Sequence, residues 1–403
     1  MRVLIISSVY PTPEAPRIIG GAEIFTRQFA ESLAASGDGV EVVRAASTAN
    51  QQMEIANGVT VYAAPVRNIY LPFSEQHSAP LRGVWHAVED WQQTATLVSE
   101  RIRAFRPDVM HSNNLSGLTT AVWKVAAEAR IPIVHTLHDY YLSCPRCSRF
   151  SDGKACAHTC LSCKILTVNR RRATSHVNGV VGVSQRILDI HSELGLFLDT
   201  PVRTVIRNAS LMAPVDPTNA GRDPTITLGF IGRLTEEKGI YNLIHAIATV
   251  PPEAVRLLIA GRTDEKQRQL IRTMAPNARI EFLGFVAPAE FYEKVDVVVV
   301  PSIWEEPGPI VVADAKAAGK PFLGTRFGGI PEAIDGGAAG WLTAHDPVSL
   351  AKSIVQLVAE PQRIRDMACK LAERQTRRTF ADVIAEYRGV FEQITDRRKA
   401  ASS

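Results

Sequence analysis

The chain has 403 residues, 46% of them hydrophobic and 21% charged, with a formal net charge of +4. The length exceeds one ordinary core and predicts two domains of about 200 residues each, and the composition excludes a disordered chain. The mild positive charge permits an anionic substrate or an anionic membrane surface and gives no reason to expect nucleic acid. No apolar run reaches the ~18 residues that a membrane span needs. The opening Met1-Arg2-Val3-Leu4-Ile5-Ile6 is too short for a signal peptide. The expectation is a cytoplasmic protein whose membrane contact, if any, is peripheral at the inner face.

From the N-terminus, short β-rich runs alternate with helical patterns. Strands are predicted at Val3–Ser7, Val40–Arg44, Val59–Ala63, Val109–His111, Ile133–Leu137, Val180–Val183 and Val202–Ile206, and helices at Ala22–Ala35, Val84–Phe105, Leu118–Arg130, Ile165–Val177 and Ser184–Leu194. Asn208 to Pro224 holds three prolines and little periodicity and reads as a linker. Alternation restarts at Ile226, with strands at Ile226–Ile231, Leu257–Ala260, Ile280–Phe282, Val297–Val300 and Phe322–Gly324. Helices fall at Ile240–Ala248, Lys266–Met274, Ile310–Ala318 and Leu350–Leu357, and the tail Arg363–Ile394 is helical with a break near Arg377. Such alternation builds parallel sheets covered on both faces. The fold class is α/β, two Rossmann-like domains facing across a cleft: residues 1–207, linker 208–224, residues 225–379 and a terminal helix 380–403. Ligands in such sheets bind beyond the carboxyl ends of the strands.

The turns at those ends carry the candidates. Gly20-Gly21 precedes a helix, so its backbone N–H groups can face an anion. It is not the GxGxxG pattern, and no acid follows at the spacing a nicotinamide cofactor requires. After the strand at Ile133–Leu137 come His138 and Asp139, where a histidine can meet a sugar hydroxyl or a forming charge. Gly232-Arg233-Leu234-Thr235-Glu236-Glu237-Lys238-Gly239 follows a strand and leads into a helix. Glycine brings the backbone close, and Arg233 and Lys238 add full charges, which suits a diphosphate. The other reading is a surface turn with two solvated cations. After four valines, Pro301 to Ile310 carries Glu306 just ahead of a helix starting at Gly308, Pro309 and Ile310, with Asp314 about two turns in. Glu306 suits sugar hydroxyls and Asp314 a ribose. Glu306 could equally complement the helix dipole.

Five of the six cysteines, Cys144, Cys147, Cys156, Cys160 and Cys163, fall in one short loop. Two CxxC pairs are the usual arrangement of a four-thiolate structural zinc, with any four of the five as ligands. An iron–sulfur cluster and unligated thiols are the alternatives. Downstream, Lys164, Arg170, Arg171 and Arg172 read either as a solvated helix face or as a contact for lipid phosphates. The stretch Arg67–Trp91, with His77, Arg82 and His86, is a candidate acceptor wall.

Taken together these residues resemble the retaining GT-B glycosyltransferases of the bacterial group 1, or family 4, type, over nearly the whole chain. The family's Gly-Arg-Leu-x-x-x-Lys-Gly matches Gly232 to Gly239. The resemblance implies that Arg233 and Lys238 bind the diphosphate of a UDP- or GDP-linked sugar, with Gly20 and Gly21 approaching it. It also implies that His138, in Thr136-Leu137-His138-Asp139, contacts sugar or acceptor. The acidic pair maps to Glu306 and Asp314, the second usually Glu, and the Ile-x-Asn-Gly motif maps to Ile206-Arg207-Asn208-Ala209, with Ala where Gly is usual. By the same resemblance the first domain binds a glycan or lipid-linked glycan acceptor, the second binds the donor, and the terminal helix crosses back to the first domain. Configuration is retained, and Arg233 and Lys238 do the work of a divalent metal, so no cofactor is needed for transfer. The competing readings are a nucleotide-sugar epimerase or phosphorylase on the same fold, or a silent nucleotide-sugar-binding protein.

Overall fold

A computed structural model describes residues 1–12, 20–47, 53–72, 77–91, 95–210, 225–373 and 378–402. The chain divides into two compact units. The first holds Met1–Arg149, Cys156–Arg207 and Ala381–Ser403, and the second holds Phe150–Ala155 and Asn208–Phe380.

In the first unit an eight-stranded sheet is built from β1 (Arg2–Ile6), β2 (Gly39–Ala46), β3 (Met53–Ala56), β4 (Val59–Pro65), β5 (Val109–Ser112), β6 (Ile133–Leu137), β9 (Gly179–Gly182) and β10 (Val202–Val205), in the order β10-β9-β6-β5-β1-β2-β4-β3. The short hairpin β7 (Phe150–Ser151) and β8 (Lys154–Ala155) lies between them in the chain. Neighbours run parallel except β3, which pairs antiparallel with β4 at the edge. Continuous apolar runs make the central strands: β1, β5 and β6 bury nearly every residue. That is what helices on both faces require. These helices are α1 (Gly21–Ala35), α2 (Ala79–Trp91), α3 (Thr96–Phe105), α4 (Ala121–Glu128), α5 (Leu161–Leu166), α6 (Val168–Ala173) and α7 (Gln185–Glu193). α1 turns Phe25, Phe29 and Leu33 inward, the spacing of one helical face. α7 starts where the Ser184 hydroxyl accepts from the Ile187 amide at 3.3 Å.

The second unit carries six parallel strands in the order β13-β12-β11-β14-β15-β16: β11 (Ile226–Ile231), β12 (Val255–Ala260), β13 (Arg279–Gly284), β14 (Val297–Val300), β15 (Phe322–Thr325) and β16 (Gly340–Thr343). Around them lie α8 (Ile240–Ile247), α9 (Glu265–Met274), α10 (Pro288–Lys294), α11 (Ile310–Ala317), α12 (Pro347–Ala359) and α13 (Pro361–Glu373). One apolar cluster joins α8 and α12 to one sheet face, and another joins α10 and α11 to the opposite face. The last helix, α14 (Phe380–Ser402), groups from Ala381 onward with the first unit. There Tyr387 shares a 2.9 Å hydrogen bond with the Thr136 hydroxyl and packs edge-on against Phe29.

Several expectations change. The helix expected over Val84–Phe105 is two, α2 and α3, and residues 92–94 lie outside the described set. The expected Ile165–Val177 helix breaks at Thr167, whose hydroxyl turns back onto the Cys163 carbonyl at 2.7 Å. Edge strands β3 and β16 and the short α10 escaped the reading, because half-exposed edges lack a continuous apolar run. Residues 211–224 of the expected linker, and the break near Arg377, lie outside the described residues. Among the described residues, no helix is long and apolar enough to cross a membrane.

Candidate functional site

The second unit gathers most of the candidates at the carboxyl ends of β11 and β14. After β11 the chain turns at Gly232, whose amide donates to the Ala260 carbonyl at 3.0 Å. A β-carbon added at Gly232 would meet open space, so the turn is uncovered. Arg233 is 53% exposed along its side chain and reaches Glu237 at 3.4 Å. The two cations do not enter α8 directly, as the sequence suggested. A single 3₁₀ turn, Glu236–Lys238, comes first, and Gly239 at φ 70° links it to α8. Only glycine fits there: a β-carbon would stand 1.8 Å from the Pro301 carbonyl oxygen. That contact is where the Lys238 turn abuts the segment after β14.

Lys238 Nζ donates to both oxygens of Glu306, each at 2.8 Å, and stands 5.3 Å from the centre of the Trp304 ring. Glu306 is buried, and its Oε2 also accepts from the Ser302 hydroxyl and the Trp304 indole, each at 2.9 Å. A buried carboxylate is retained only when paired and hydrogen-bonded, and Glu306 meets both conditions. The charge of Glu306 is paired with Lys238, beyond anything the helix dipole supplies. Gly328 closes over it at φ 57°, where a β-carbon would strike the Glu306 backbone, and the Gly329 amide donates to the Glu306 carbonyl at 2.7 Å.

Beyond Glu306 the chain passes Gly308, enters α11 with Pro309 as its cap and continues at Ile310. The first amides of a helix have no partner within it and point along the axis, a favourable place for an anion. Asn208 donates its side-chain amide to the Gly308 carbonyl at 3.1 Å, while its buried Oδ1 has no partner among the described residues. Asp314, on α11, accepts from the Ser210 hydroxyl at 2.7 Å. The shorter carboxylate is therefore held in place from the end of the 208–210 segment.

In the first unit, Gly20 caps α1 and donates its amide to Glu23 at 2.7 Å, with Gly21 as the first helical residue. Residues 13–19 just before it lie outside the described set. His138 follows β6, its ring 5.0 Å from that of Phe25. Burial holds its pKa down to about 4, so it is neutral at pH 7, and its Nε2 is enclosed without a partner among the described residues. Asp139 accepts from Asn114 at 2.6 Å and from the Tyr141 amide at 2.8 Å, and so pins the turn.

The cysteine loop departs from expectation. Among the described residues no three His, Cys, Asp or Glu side chains are grouped as a metal ion would need. The four-thiolate clip drawn from Cys144, Cys147, Cys156, Cys160 and Cys163 is not assembled. Cys147 adopts φ 59°, and its half-buried thiol meets the Pro145 carbonyl, 3.9 Å away. Cys160 meets Ser162 at 3.2 Å. Hydrogen bonding from Cys163 lowers the Cys144 thiol, and the same bond raises Cys163. Arg149 braces the loop instead, donating to Thr159 at 3.1 Å and to the Cys156 carbonyl at 3.0 Å. Arg170 is corrected too: it is buried on Glu89 at 3.3 Å and Asp90 at 3.5 Å and takes no part in a surface cation face.

Sequence reasoning missed Ser302, Trp304 and Ser210. Ser302 and Trp304 stand four and two residues before Glu306, and a polar side chain that close to a buried acid was the available signal. Nothing in the sequence marks Ser210.

Two family models cover most of the chain: a glycosyl transferase 4-like domain matches residues 20–209 and the glycosyl transferases group 1 model matches residues 225–360. A protein of the cps region of Klebsiella pneumoniae is 32% identical over 334 residues, 82% of this chain and 87% of that one. Among solved structures, sucrose-phosphate synthase from Thermosynechococcus elongatus covers 100% of both chains at a TM-score of 0.73 and 19% identity. The Anabaena protein HepE in complex with UDP covers 98% of this chain and 100% of its own at 0.69 and 20%. The α/β architecture with parallel sheets is the GT-B one, and the chain belongs to the group 1 glycosyltransferases.

Proposed function

We propose that this enzyme moves a hexosyl unit from a nucleoside-diphosphate sugar to a glycan or lipid-linked glycan, with retention of configuration and with no metal in the transfer step. The observation that carries this reading is the pairing of Lys238 with a buried Glu306 beside the exposed Arg233 and the start of α11. A lysine held by two oxygens at a fixed point is a preorganised cation. Arg233 adds a planar fork that matches phosphate geometry. The complex of HepE with UDP supports a uridine donor.

During transfer the bond between the anomeric carbon and the phosphate oxygen breaks, and negative charge collects on the departing diphosphate. Arg233 and Lys238 meet that charge, and each well-aimed donor lowers the barrier by a few kcal/mol. The acceptor oxygen bonds to the anomeric carbon on the face the diphosphate leaves, and its proton passes to a phosphate oxygen. Glu306 holds Lys238 in position and offers its remaining acceptor capacity to the donor sugar. Asp314, set by Ser210, takes a ribose hydroxyl, and Asn208, Gly232, Gly308, Pro309 and Ile310 shape the donor's seat. The neutral His138 exchanges a hydrogen bond with a sugar hydroxyl, and Gly20 and Gly21 approach the diphosphate. A lipid-linked acceptor would bring the protein to a membrane surface.

Proton NMR of the product tests this reading. Incubation with an α-linked UDP-sugar and a glycan acceptor panel is expected to give an α-configured product. A β-configured product, or a rearranged donor formed without any acceptor, would contradict it.

A further inference from the structure

The first unit keeps an uncharged polar side chain buried where its fold gives it nothing to bond. Asn113 directly follows β5 and is 2% exposed, yet neither its Oδ1 nor its Nδ2 has a partner among the described residues. Its backbone is fixed, since its amide donates to the Ile6 carbonyl of β1 at 2.9 Å. The next residue shows the contrast: Asn114 donates to Asp139, just beyond β6, at 2.6 Å. Successive side chains along a strand leave by opposite faces. Asn113, two residues on from His111, therefore stands on the face away from Asn114. On that face His111 Nε2 meets the Thr136 hydroxyl at 2.8 Å, and the His111 ring lies 4.9 Å from that of Phe29 on α1. His138 is on the same side, its ring against Phe25 of α1, and its Nε2 is likewise without a partner among the described residues.

A primary amide carries two N–H donors and two acceptor lone pairs, and burying them unmet costs stability. Which way the amide is turned makes no difference, because both of its ends are unmet. Packing does not explain the choice of residue, since leucine fills about the same volume with no polar group to bury. Polar groups kept at such a cost mark places where function overrides the fold. The position agrees: ligands of parallel sheets bind beyond the carboxyl ends of the strands, where β5 delivers Asn113. A sugar ring offers what this amide lacks. Each hydroxyl both donates and accepts, so one hydroxyl can donate to Oδ1 while its neighbour accepts from Nδ2. His138, neutral at pH 7, adds a further uncharged hydrogen-bonding atom on that side. Neither side chain supplies a counter-charge to a carboxylate or an ammonium.

We propose that Asn113 is a binding residue for uncharged sugar hydroxyls, accepting from one at Oδ1 and donating to its neighbour from Nδ2. This rests on the glycosyl-transfer reading above and adds the class of sugar group that the first unit grips. The hydroxyls belong either to the donor hexose or to the acceptor, and kinetics separate the two. Wild type, Asn113→Leu and Asn113→Ala are compared in transfer from α-linked UDP-hexoses to a glycan acceptor panel, and in hydrolysis of those donors without acceptor. Both variants, one filling the space and one opening it, are expected to lose about tenfold or more in kcat/KM for transfer. A rise in the acceptor KM with donor hydrolysis unchanged assigns the hydroxyls to the acceptor. A rise in the donor KM with hydrolysis also reduced assigns them to the donor hexose. Asn113→Leu should in addition melt about 2 °C or more above wild type, because it removes an amide that the fold leaves unmet. Unchanged transfer by both variants would overturn the proposal and leave the amide to ordered water. So would Asn113→Leu melting below wild type, which would make the amide a partner within the fold. Should wild type itself transfer from none of these donors, the transfer reading falls, and heat protection decides for Asn113. UDP-glucose raising the wild-type Tm more than UDP does, with the two equal in both variants, upholds it, and no such difference overturns it.

Discussion

Glu306 accepts four hydrogen bonds from three side chains, and two of them come from Lys238. Such an arrangement costs more to break than to replace. Removing the lysine leaves a buried carboxylate without its counter-charge, a loss of up to ~3 kcal/mol for a pair that still sees some solvent. Lys238→Ala should therefore lower stability in urea unfolding and also cut kcat by about 10²- to 10³-fold. Lys238→Met/Glu306→Gln should recover most of the stability and none of the rate. Recovery of both by the double variant would mean that the lysine serves packing alone. Trp304 and Ser302 belong to the same unit, because each donates a hydrogen bond to the Glu306 oxygen that also accepts from Lys238.

At the scale of elements, the site is a contact between two loops, the 3₁₀ turn before α8 and the segment between β14 and α11. The Ile303 amide donates to the Glu237 carbonyl at 2.9 Å, which fastens one loop to the other. Gly239 is where they touch most closely. Gly239→Ala places a methyl group in the Pro301 carbonyl and forces a left-handed alanine, worth about 1–2 kcal/mol from the backbone alone. The expected result is a lower urea midpoint and a proportionate loss of transfer, whereas Gly337→Ala, at φ 93° with nothing within 4 Å, carries only the backbone cost. Much of this level was legible in the sequence. The four valines of β14 and the Gly-Arg-Leu-x-x-x-Lys-Gly run placed both loops at strand ends. The ion pair was not legible, because Lys238 and Glu306 are 68 residues apart in the chain and only the packing of β11 beside β14 brings them together. The cysteine reading failed for a related reason. CxxC spacing limits which thiols can share a metal but does not aim them, and the Cys147 thiol meets the Pro145 carbonyl at 3.9 Å. The basic run after the loop misled similarly, since Arg170 is one helical residue among three and only the fold decides which one points inward.

Over the whole molecule, acid should be felt mainly through the first unit. Burial lowers His86, His138 and His191 to about 4 and His111 to about 3, and it takes His135 well below 6.5. An unfolded chain takes up protons at these sites near pH 6.5 while the folded one does not. Their stabilising contribution is therefore complete above 6.5 and lost as pH falls toward 4. Buried Glu89, Asp90 and Asp139 are raised and act in the opposite sense: they favour the folded state in acid and lose that contribution as pH rises through their folded values. Five histidines against three carboxyls should leave Tm falling by about 5 °C or more between pH 7.5 and 5.5. A Tm that is flat or rising over that range would show that these rings are protonated in the folded state.

The claim on which the rest depends is that Arg233 and Lys238 receive a nucleoside diphosphate, and a thermal-shift series tests it most directly. UDP, GDP and ADP are each titrated against the wild-type chain and against Arg233→Ala. At ligand about a hundredfold above Kd, the account predicts a rise of about 5 °C for one nucleotide, UDP by the structural likeness, and little or none in the variant. An equal rise in both proteins, or no rise with any of the three nucleotides, would contradict it.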